Sequence, residues 1–569
     1  MTYEERMVKR FAEEYNALEE RPCVEICEAE ELRIPMSDGV LLRTVVQKPQ
    51  GEGPFPTIIM RSCYPSNEGQ YRLHAREYCS RGFAFVYQFC RGTGGSDGEW
   101  VPNVHEREDG KVTLDWLDEQ AWVESIGYFG CSYLALTGWA VADIVPEKVK
   151  TLYLTHYGTD RFTSAYSSGC FRQDVLTSWA MENAGVPIKA DFRKSAAFMP
   201  QIEVDETVWG CRLDWYRDWI THTDRDDSYW TEGFWGELAE IPERVTVPVY
   251  IGGGWYDHHL GSTLRTWKAL SPLSKQHSTL RLGAWNHDFQ SCTPGVPTRH
   301  LENSDIASAF HWFRMILVDK ILPDTQIKSY IVNEDEWLIK NKDLDIQQEK
   351  KYFALTEGKK LLQLESTLSC EENNQWSYVY NPKNPVPSHG GESLLWSWDD
   401  IGSLKQPPCG WRDDVLSFVS EPLSQDMIVL GSIKVELYVS SDASDTAFSA
   451  KLMEIRPDGS AYHVRSGITT LAYRSGADFP RGVYKAGQMV KVEINFWDIG
   501  WCFKTGTRLR LDISSSDFPQ YSIHSNYPGV WSVQTKTKPA VQTVYSCPGN
   551  TSTIIFPIIS NKWGAVQGA

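Results

Sequence analysis

The sequence predicts a mixed α/β catalytic unit that is interrupted by a helical insertion and followed by an all-β sandwich. Three observations predict it. Short apolar runs alternate with helical patterns through the first half of the 569 residues, as buried parallel strands and their crossover helices do. A strand runs straight into a serine and then a helix at Tyr128-Phe129-Gly130-Cys131-Ser132-Tyr133-Leu134-Ala135. Beyond residue 325 the helical rhythm stops, and apolar residues alternate with polar ones at the period of half-buried strands.

In chain order, residues 4–20 read as an exposed amphipathic helix ahead of the catalytic unit. Ser37-Asp38-Gly39 is a turn between two alternating segments, so the first two strands form a hairpin. Residues 56–60, 83–88 and 126–129 are the buried strands that follow, and Asp109, Val112, Trp116 and Leu117 mark a helix between them. Residues 1–145 are thus expected to form the first part of the α/β unit. Residues 146–240 lack strand rhythm and are rich in aromatic rings, which predicts a helical cap; Phe171 and Trp179 are its candidates to line a pocket, while most of its tryptophans pack the cap's own core.

The α/β unit resumes over 241–325. Residues 245–251 are a β-branched run that breaks into Gly252-Gly253-Gly254-Trp255-Tyr256-Asp257, residues 260–270 are helical, and residues 279–282 form a strand that gives way to Gly283-Ala284-Trp285-Asn286-His287. Asp257 and His287 therefore each follow a strand. Residues 326–569 are expected to be the sandwich: Ile433, Val435, Leu437 and Val439 alternate with polar residues, as do Leu509, Leu511 and Ile513, and Pro457-Asp458-Gly459-Ser460 is a turn. No linker rich in proline, glycine or serine separates this part, so it is expected to dock rather than to swing.

The serine turn reads as a nucleophile elbow, in which the hydroxyl projects from the sheet and the next backbone N–H is free to hold an oxyanion. Gly130 fits the strict pattern, while Leu134 stands where that pattern has its second glycine. An acyl-transfer serine needs an imidazole to take its proton and a carboxylate to orient the imidazole. Asp257 and His287 follow Ser132 in the order of an α/β-hydrolase.

These residues resemble the CocE/NonD family of α/β-hydrolases, the cocaine esterase and X-Pro dipeptidyl-peptidase group. The resemblance runs nearly end to end, through Ile34-Pro35-Met36-Ser37-Asp38-Gly39, Arg61-Ser62-Cys63-Tyr64, Arg91-Gly92-Thr93-Gly94-Gly95-Ser96-Asp97-Gly98, the elbow, Gly254-Trp255-Tyr256-Asp257 and Trp285-Asn286-His287. The family elbow reads Gly-x-Ser-Tyr-x-Gly, so Leu134 is tolerated and Ala135 replaces the last glycine. The resemblance implies Ser132 as nucleophile, Asp257 as orienting acid and His287 as general base. It also implies an oxyanion hole made of the Tyr64 phenol and the Tyr133 N–H, and a C-terminal jelly roll that closes one side of the pocket. Relatives that act on amino-acid esters carry carboxylates two and three residues after the acid. Here those positions are His259 and Leu260, which points to a neutral acyl ester or amide as substrate.

A metal site built from His258, His259 and Asp257, with His287 and Asp288 nearby, is disfavoured because adjacent loop residues diverge; His258 and His259 are expected instead at the pocket, and no metal or cofactor is expected. His156 follows another strand and can face the cleft. Cys131, beside the elbow serine, is a poor alternative nucleophile. The net charge of −18 argues against nucleic acid and anionic membranes as partners. The N-terminal stretch lacks an apolar signal core, no run is long enough to span a bilayer, and the thirteen cysteines are scattered, from which a cytoplasmic protein without a disulfide framework is expected. A homo-oligomer is compatible with the sequence. Two rivals to a carboxylesterase-like activity remain at this level: an X-Pro dipeptidyl-peptidase or other amidase, and a catalytically silent binding protein on the same fold.

Overall fold

The computed structural model describes residues 2–341, 348–364, 372–392, 400–476, 480 and 482–559. Strands β1 Glu30–Pro35, β2 Leu41–Gln47, β3 Phe55–Ser62, β4 Ala84–Phe89, β5 Val123–Cys131 and β6 Val149–Thr155 build the first part of the central sheet. β1 and β2 pair antiparallel around the Ser37-Asp38-Gly39 turn, with Ile34 opposite Leu42. A small hairpin, β7 Tyr166–Ser167 and β8 Cys170–Phe171, sits within the cap. The sheet then resumes with β9 Val249–Gly254, β10 Thr279–Gly283, β11 Gln326–Ile331 and β12 Glu336–Asn341.

Among the described residues the sheet has ten strands in the order β1-β2-β4-β3-β5-β6-β9-β10-β11-β12. Its pairs from β4 to β11 are parallel. The central strands are buried on both faces, which is why they read as continuous apolar runs. Sheet membership differs from the expected division at 145 and 325, because β6 lies beyond the first position and β11 and β12 beyond the second. The alternation in β11 and β12 resembles that of a sandwich strand, since both lie at the half-covered edge of the sheet. The strand expected at 245–251 begins at Val249 and runs through all three glycines. A Cβ on Gly254 would stand 2.1 Å from the Trp285 carbonyl oxygen, so the glycines admit a neighbouring strand end rather than stop the strand.

Helices α1 Tyr3–Ala17, α2 Glu68–Cys79, α3 Glu106–Asp118 and α4 Tyr133–Trp139 belong to the same unit. The expectation of an exposed leading helix is corrected by α1. Met7 and Tyr15 are buried, the Tyr15 hydroxyl meets His74 Nδ1 at 2.8 Å, and Met7 and Phe11 line the cavity that Ser132 also lines. Their four-residue spacing makes an apolar stripe; what covers that stripe is α2 and the helix Asp305–Phe313.

The sandwich comprises eleven strands among the described residues, from β13 Glu349–Thr356 through β23 Thr553–Ile558. Its longest pair, Met427–Ser441 with Val490–Phe503, is antiparallel with a bulge between Ser432 and Lys434. Ile433, Val435, Leu437 and Val439 are fully buried, as their alternation requires. Arg510 and Asp512, the polar partners of Leu509, Leu511 and Ile513, are buried too, because they neutralise each other at 2.6 Å. The jelly roll docks on the cap: Phe171 stacks on Trp531 with ring centroids 5.3 Å apart, and Arg172 lies 3.9 Å from the Trp497 ring centroid. No helix among the described residues is long and apolar enough to cross a membrane. The described cysteines are all free.

Candidate active site

The elbow forms because β5 passes into α4 through a single strained residue. Ser132 has φ 59° and ψ −127°, a region that L-residues avoid unless their surroundings impose it. Its N–H donates to the Thr155 carbonyl at 3.0 Å, and its carbonyl accepts from Ala135 and Leu136. Gly130 is obligatory, since a Cβ there would stand 2.2 Å from the Leu134 carbonyl oxygen. Leu134 turns into an apolar cluster with Phe129 and Tyr71, and Ala135 is fully buried. Neither position demands glycine.

His287 lies at the tip of a tight turn in which Asn286 Oδ1 accepts from the backbone N–H of Asp288 and of Gln290, at 3.0 and 3.1 Å. Its Nε2 is 2.9 Å from Ser132 Oγ, and its Nδ1 is 3.3 Å from Asp257 Oδ1. Asp257, fully buried, also accepts from the His259 N–H at 2.7 Å. Burial opposes ionisation of Asp257, but its charge and hydrogen-bond contacts with His287 help to hold its carboxyl well below the usual carboxylate range. Burial likewise pulls His287 down, and the Asp257 charge outweighs it, so this imidazole titrates above its ordinary 6.5.

Tyr64 and Tyr133 stand beside the serine. The Tyr64 hydroxyl accepts from Trp179 Nε1 at 3.0 Å and also hydrogen-bonds with the neighbouring Cys63. Burial pushes the phenol well above its ordinary pKa, so it stays protonated. Tyr133 is the first residue of α4, where a helix leaves N–H groups without an intrahelical acceptor. Its side chain is clamped away from the chemistry, donating to Glu106 Oε1 and accepting from the Asn103 N–H, both at 2.9 Å. Glu106 is in turn paired with buried Arg61 at 3.2 Å. No local signal in the sequence marked Glu106, whose partners Arg61 and Tyr133 come from β3 and α4.

Ser132, His287, Tyr64 and Tyr133 line a cavity of about 560 Å³ between the sheet, the cap and α1. Trp179 lines it, stacking on Tyr133 at 6.1 Å. His258 and His259 line it as well, with ring centroids 4.3 Å apart and His258 4.3 Å from His287. Burial holds both well below the ordinary histidine pKa. The expectation for Phe171 is corrected. It has no exposed surface and is enclosed by Tyr166 and Trp531, because the sandwich claims its ring from the far side of the cap.

His156, at the end of β6, is fully buried behind the histidine–aspartate pair rather than at the cavity. Its Nε2 accepts from Trp285 Nε1 at 3.2 Å and lies 3.5 Å from Asp257 Oδ2. Burial drops its pKa to about 3, so it is neutral. His156, Asp257 and His287 each offer a ligand atom within 4.8 Å of the others, a spacing that suits a metal ion. Trp285 engages His156 Nε2, and Asp257 engages His287 Nδ1, so these atoms are already hydrogen-bonded within the protein. This trio differs from the His258, His259 and Asp257 set considered from the sequence.

The comparisons with known proteins agree with this architecture. The model for the X-Pro dipeptidyl-peptidase (S15 family) matches residues 38–288, and that for the X-Pro dipeptidyl-peptidase C-terminal non-catalytic domain matches residues 325–555. The cocaine esterase of Rhodococcus sp. (strain MB1 Bresler) is 28% identical over 572 residues, covering 93% of this chain and 98% of that protein. An aminopeptidase from the marine sediment archaeon Thaumarchaeota archaeon has a TM-score of 0.79 at 20% identity, over 94% of this chain and 97% of its own. A selenomethionine-labelled α-amino acid ester hydrolase has a TM-score of 0.78 at 21% identity, over 95% and 99%. At these identities the two structures speak for the fold. The chain belongs to the CocE/NonD family of α/β-hydrolases and is a serine hydrolase with an S15-type catalytic domain and a C-terminal jelly roll.

Proposed function

We propose that this protein hydrolyses a small-molecule acyl ester or amide through an acyl-enzyme on Ser132, a carboxylesterase-like activity. The observation that carries the reading is the line from Ser132 Oγ to His287 Nε2 at 2.9 Å and from His287 Nδ1 to Asp257 Oδ1 at 3.3 Å, in the wall of the cavity. Neutral His287 takes the hydroxyl proton as Ser132 Oγ attacks the carbonyl carbon, and Asp257 steadies the imidazolium that forms. The carbonyl oxygen becomes an oxyanion that accepts from the Tyr64 hydroxyl and the Tyr133 N–H. His287 returns its proton to the leaving alkoxide or amine, and the intermediate collapses to the acyl-enzyme. Water then attacks with the same base and the same donors, and releases the acid. A fluorophosphonate probe followed by peptide mapping tests the nucleophile; labelling at any residue other than Ser132 would exclude the assignment.

Two results are expected of the donors and the base. Tyr64→Phe should lower kcat about 100-fold to 1000-fold with KM little changed, measured on a nitrophenyl ester. A change confined to KM would remove the phenol from the oxyanion hole. A protonated imidazole cannot accept the serine proton, so kcat/KM should fall as pH drops through the His287 pKa, and this acid limb should lie above 6.5 because Asp257 raises it. A profile flat down to about pH 5 would contradict His287 as base.

An amidase or X-Pro dipeptidyl-peptidase is the second reading, favoured by the matched S15 model. It asks the pocket to hold an amino terminus, for which the positions after Asp257 supply only a neutral, buried His259 and Leu260. Comparing acyl nitrophenyl esters with acyl and X-Pro anilides separates the two.

A further inference from the structure

One wall of the cavity carries an unpaired cation. The structure places Arg161 at the start of helix α5, Arg161–Ala165, on the cap side of the cavity. It is 8% exposed, its guanidinium carbon is 4.7 Å from the Trp219 ring centroid and 5.6 Å from that of Trp235, and its Nε has no hydrogen-bond partner. Among the described residues no carboxylate is ion-paired with it. Four other buried arginines are matched, Arg61 by Glu106 at 3.2 Å, Arg510 by Asp512 at 2.6 Å, and Arg172 and Arg465 by Glu392 at 3.6 Å each, while Arg281, which also lies over two tryptophans, lines no part of this cavity and donates to Ser308 Oγ. The neighbouring acid, Asp160, is committed elsewhere, to Arg225 at 2.8 Å and Arg265 at 3.4 Å.

A desolvated charge is costly unless something compensates it. The tryptophan faces ease that cost, but they accept none of the in-plane N–H groups of a guanidinium. Tyr157 hydrogen-bonds Arg161, but it is a phenol whose pKa burial raises, so it supplies an acceptor and no negative charge. His259 holds the helix in place through Ser164 Oγ at 2.8 Å and adds no charge, since burial keeps it and His258 neutral. The cavity's acids do not answer Arg161 either. Asp288 is bonded by Tyr3 at 3.0 Å and Asp305 by Tyr153 at 2.7 Å on the α1 side, both pushed up by burial, and Glu182 is raised for the same reason. A fork of donors beside two aromatic rings, turned into a reaction cavity, is matched to a planar anion.

We propose that Arg161 binds a carboxylate of the substrate, so that the ester or amide cleaved at Ser132 carries a negative charge on its acyl or its leaving half. This rests on the reading of Ser132 as nucleophile and replaces the neutral acyl group expected from the sequence. The test measures kcat/KM for two matched pairs: mono-nitrophenyl glutarate against nitrophenyl pentanoate for the acyl half, and 4-acetoxybenzoate against phenyl acetate for the leaving half. The expected result is a preference of at least about tenfold for the anionic member of one pair, after allowance for leaving-group reactivity, that collapses in Arg161→Gln and partly returns in Arg161→Lys. The pair that responds identifies the half that carries the charge.

Because Arg161 packs on two tryptophans, its loss can unsettle the cap, so a second measurement uses the unmodified protein. Glutarate should compete with a neutral ester at least about tenfold more tightly than glutaramide does. Equal rates within both pairs together with equal inhibition, or a preference that survives Arg161→Gln, would overturn the assignment while leaving an active, Ser132-labelled enzyme. A protein that turns over no ester and leaves Ser132 unlabelled overturns the underlying reading and this one with it.

Discussion

Ser132→Ala is expected to lower kcat by roughly 10⁴-fold to 10⁶-fold and to abolish fluorophosphonate labelling, while the thermal midpoint stays that of the parent. The large loss follows from the absence of a substitute. Cys131 sits next in the chain, but burial pushes its thiol well above the ordinary range, and its Sγ faces His156 Nδ1 at 3.7 Å rather than His287. A thiol that stays protonated is a poor nucleophile. The folding cost is small because the strain at φ 59° belongs to the backbone and is shared by serine and alanine. The hydrogen bonds that hold the elbow also use backbone atoms, the Ser132 N–H to Thr155 and the Ser132 carbonyl to Ala135 and Leu136. Circular dichroism melts and a nitrophenyl ester assay check both halves; residual turnover within tenfold of the parent would exclude Ser132.

Asp257→Asn is expected to lower kcat by about 10⁴-fold. The carboxylate does two things, and an amide does the first only weakly and the second not at all. It accepts the His287 Nδ1 proton at 3.3 Å and so leaves Nε2 bare toward Ser132, and its charge stabilises the imidazolium. An amide has no charge to stabilise the imidazolium, and because the His259 N–H requires an oxygen at the Oδ1 position, its carbonyl is left as an uncharged and weaker acceptor for Nδ1–H. The same change withdraws the charge that lifts His287 above 6.5, so the acid limb of any remaining activity should move to lower pH. The position is also constrained by its neighbours: the His259 N–H donates to Oδ1 at 2.7 Å, and Oδ2 lies 3.5 Å from His156 Nε2. A variant that keeps both its rate and its pH profile would show that Asp257 acts only in packing.

The parts of this site that the sequence revealed are those with short-range causes. Gly130, Ser132 and α4 form one turn whose backbone geometry is set within six residues, and Asp257 and His287 were recognisable because each follows a strand that ends in small residues. The β-sandwich was legible from its period of two, and the hairpin of β1 and β2 from its turn. For the same reason the strand limits slipped wherever burial came from elsewhere. The glycines of β9 looked like a strand stop, but Gly252 makes room for Thr155 and Gly254 for Trp285, and the alternating β11 and β12 looked like sandwich strands although they close the central sheet.

By itself, then, the amino-acid order determined the fold class, the elbow and the succession Ser132, Asp257, His287, since local backbone preference and hydrophobic period act over a few residues. Only the tertiary structure decided which rings and charges meet at the serine. Phe171 and Trp179 are equally aromatic cap residues, yet Trp531 takes the first and Tyr64 the second. The leading helix read as exposed, and only the fold shows that Met7 and Phe11 wall the cavity while Tyr15 is buried against His74. Arg161 gave no signal at all, because a charged residue in a sequence is matched or unmatched only once the chain has brought, or failed to bring, a carboxylate to its side.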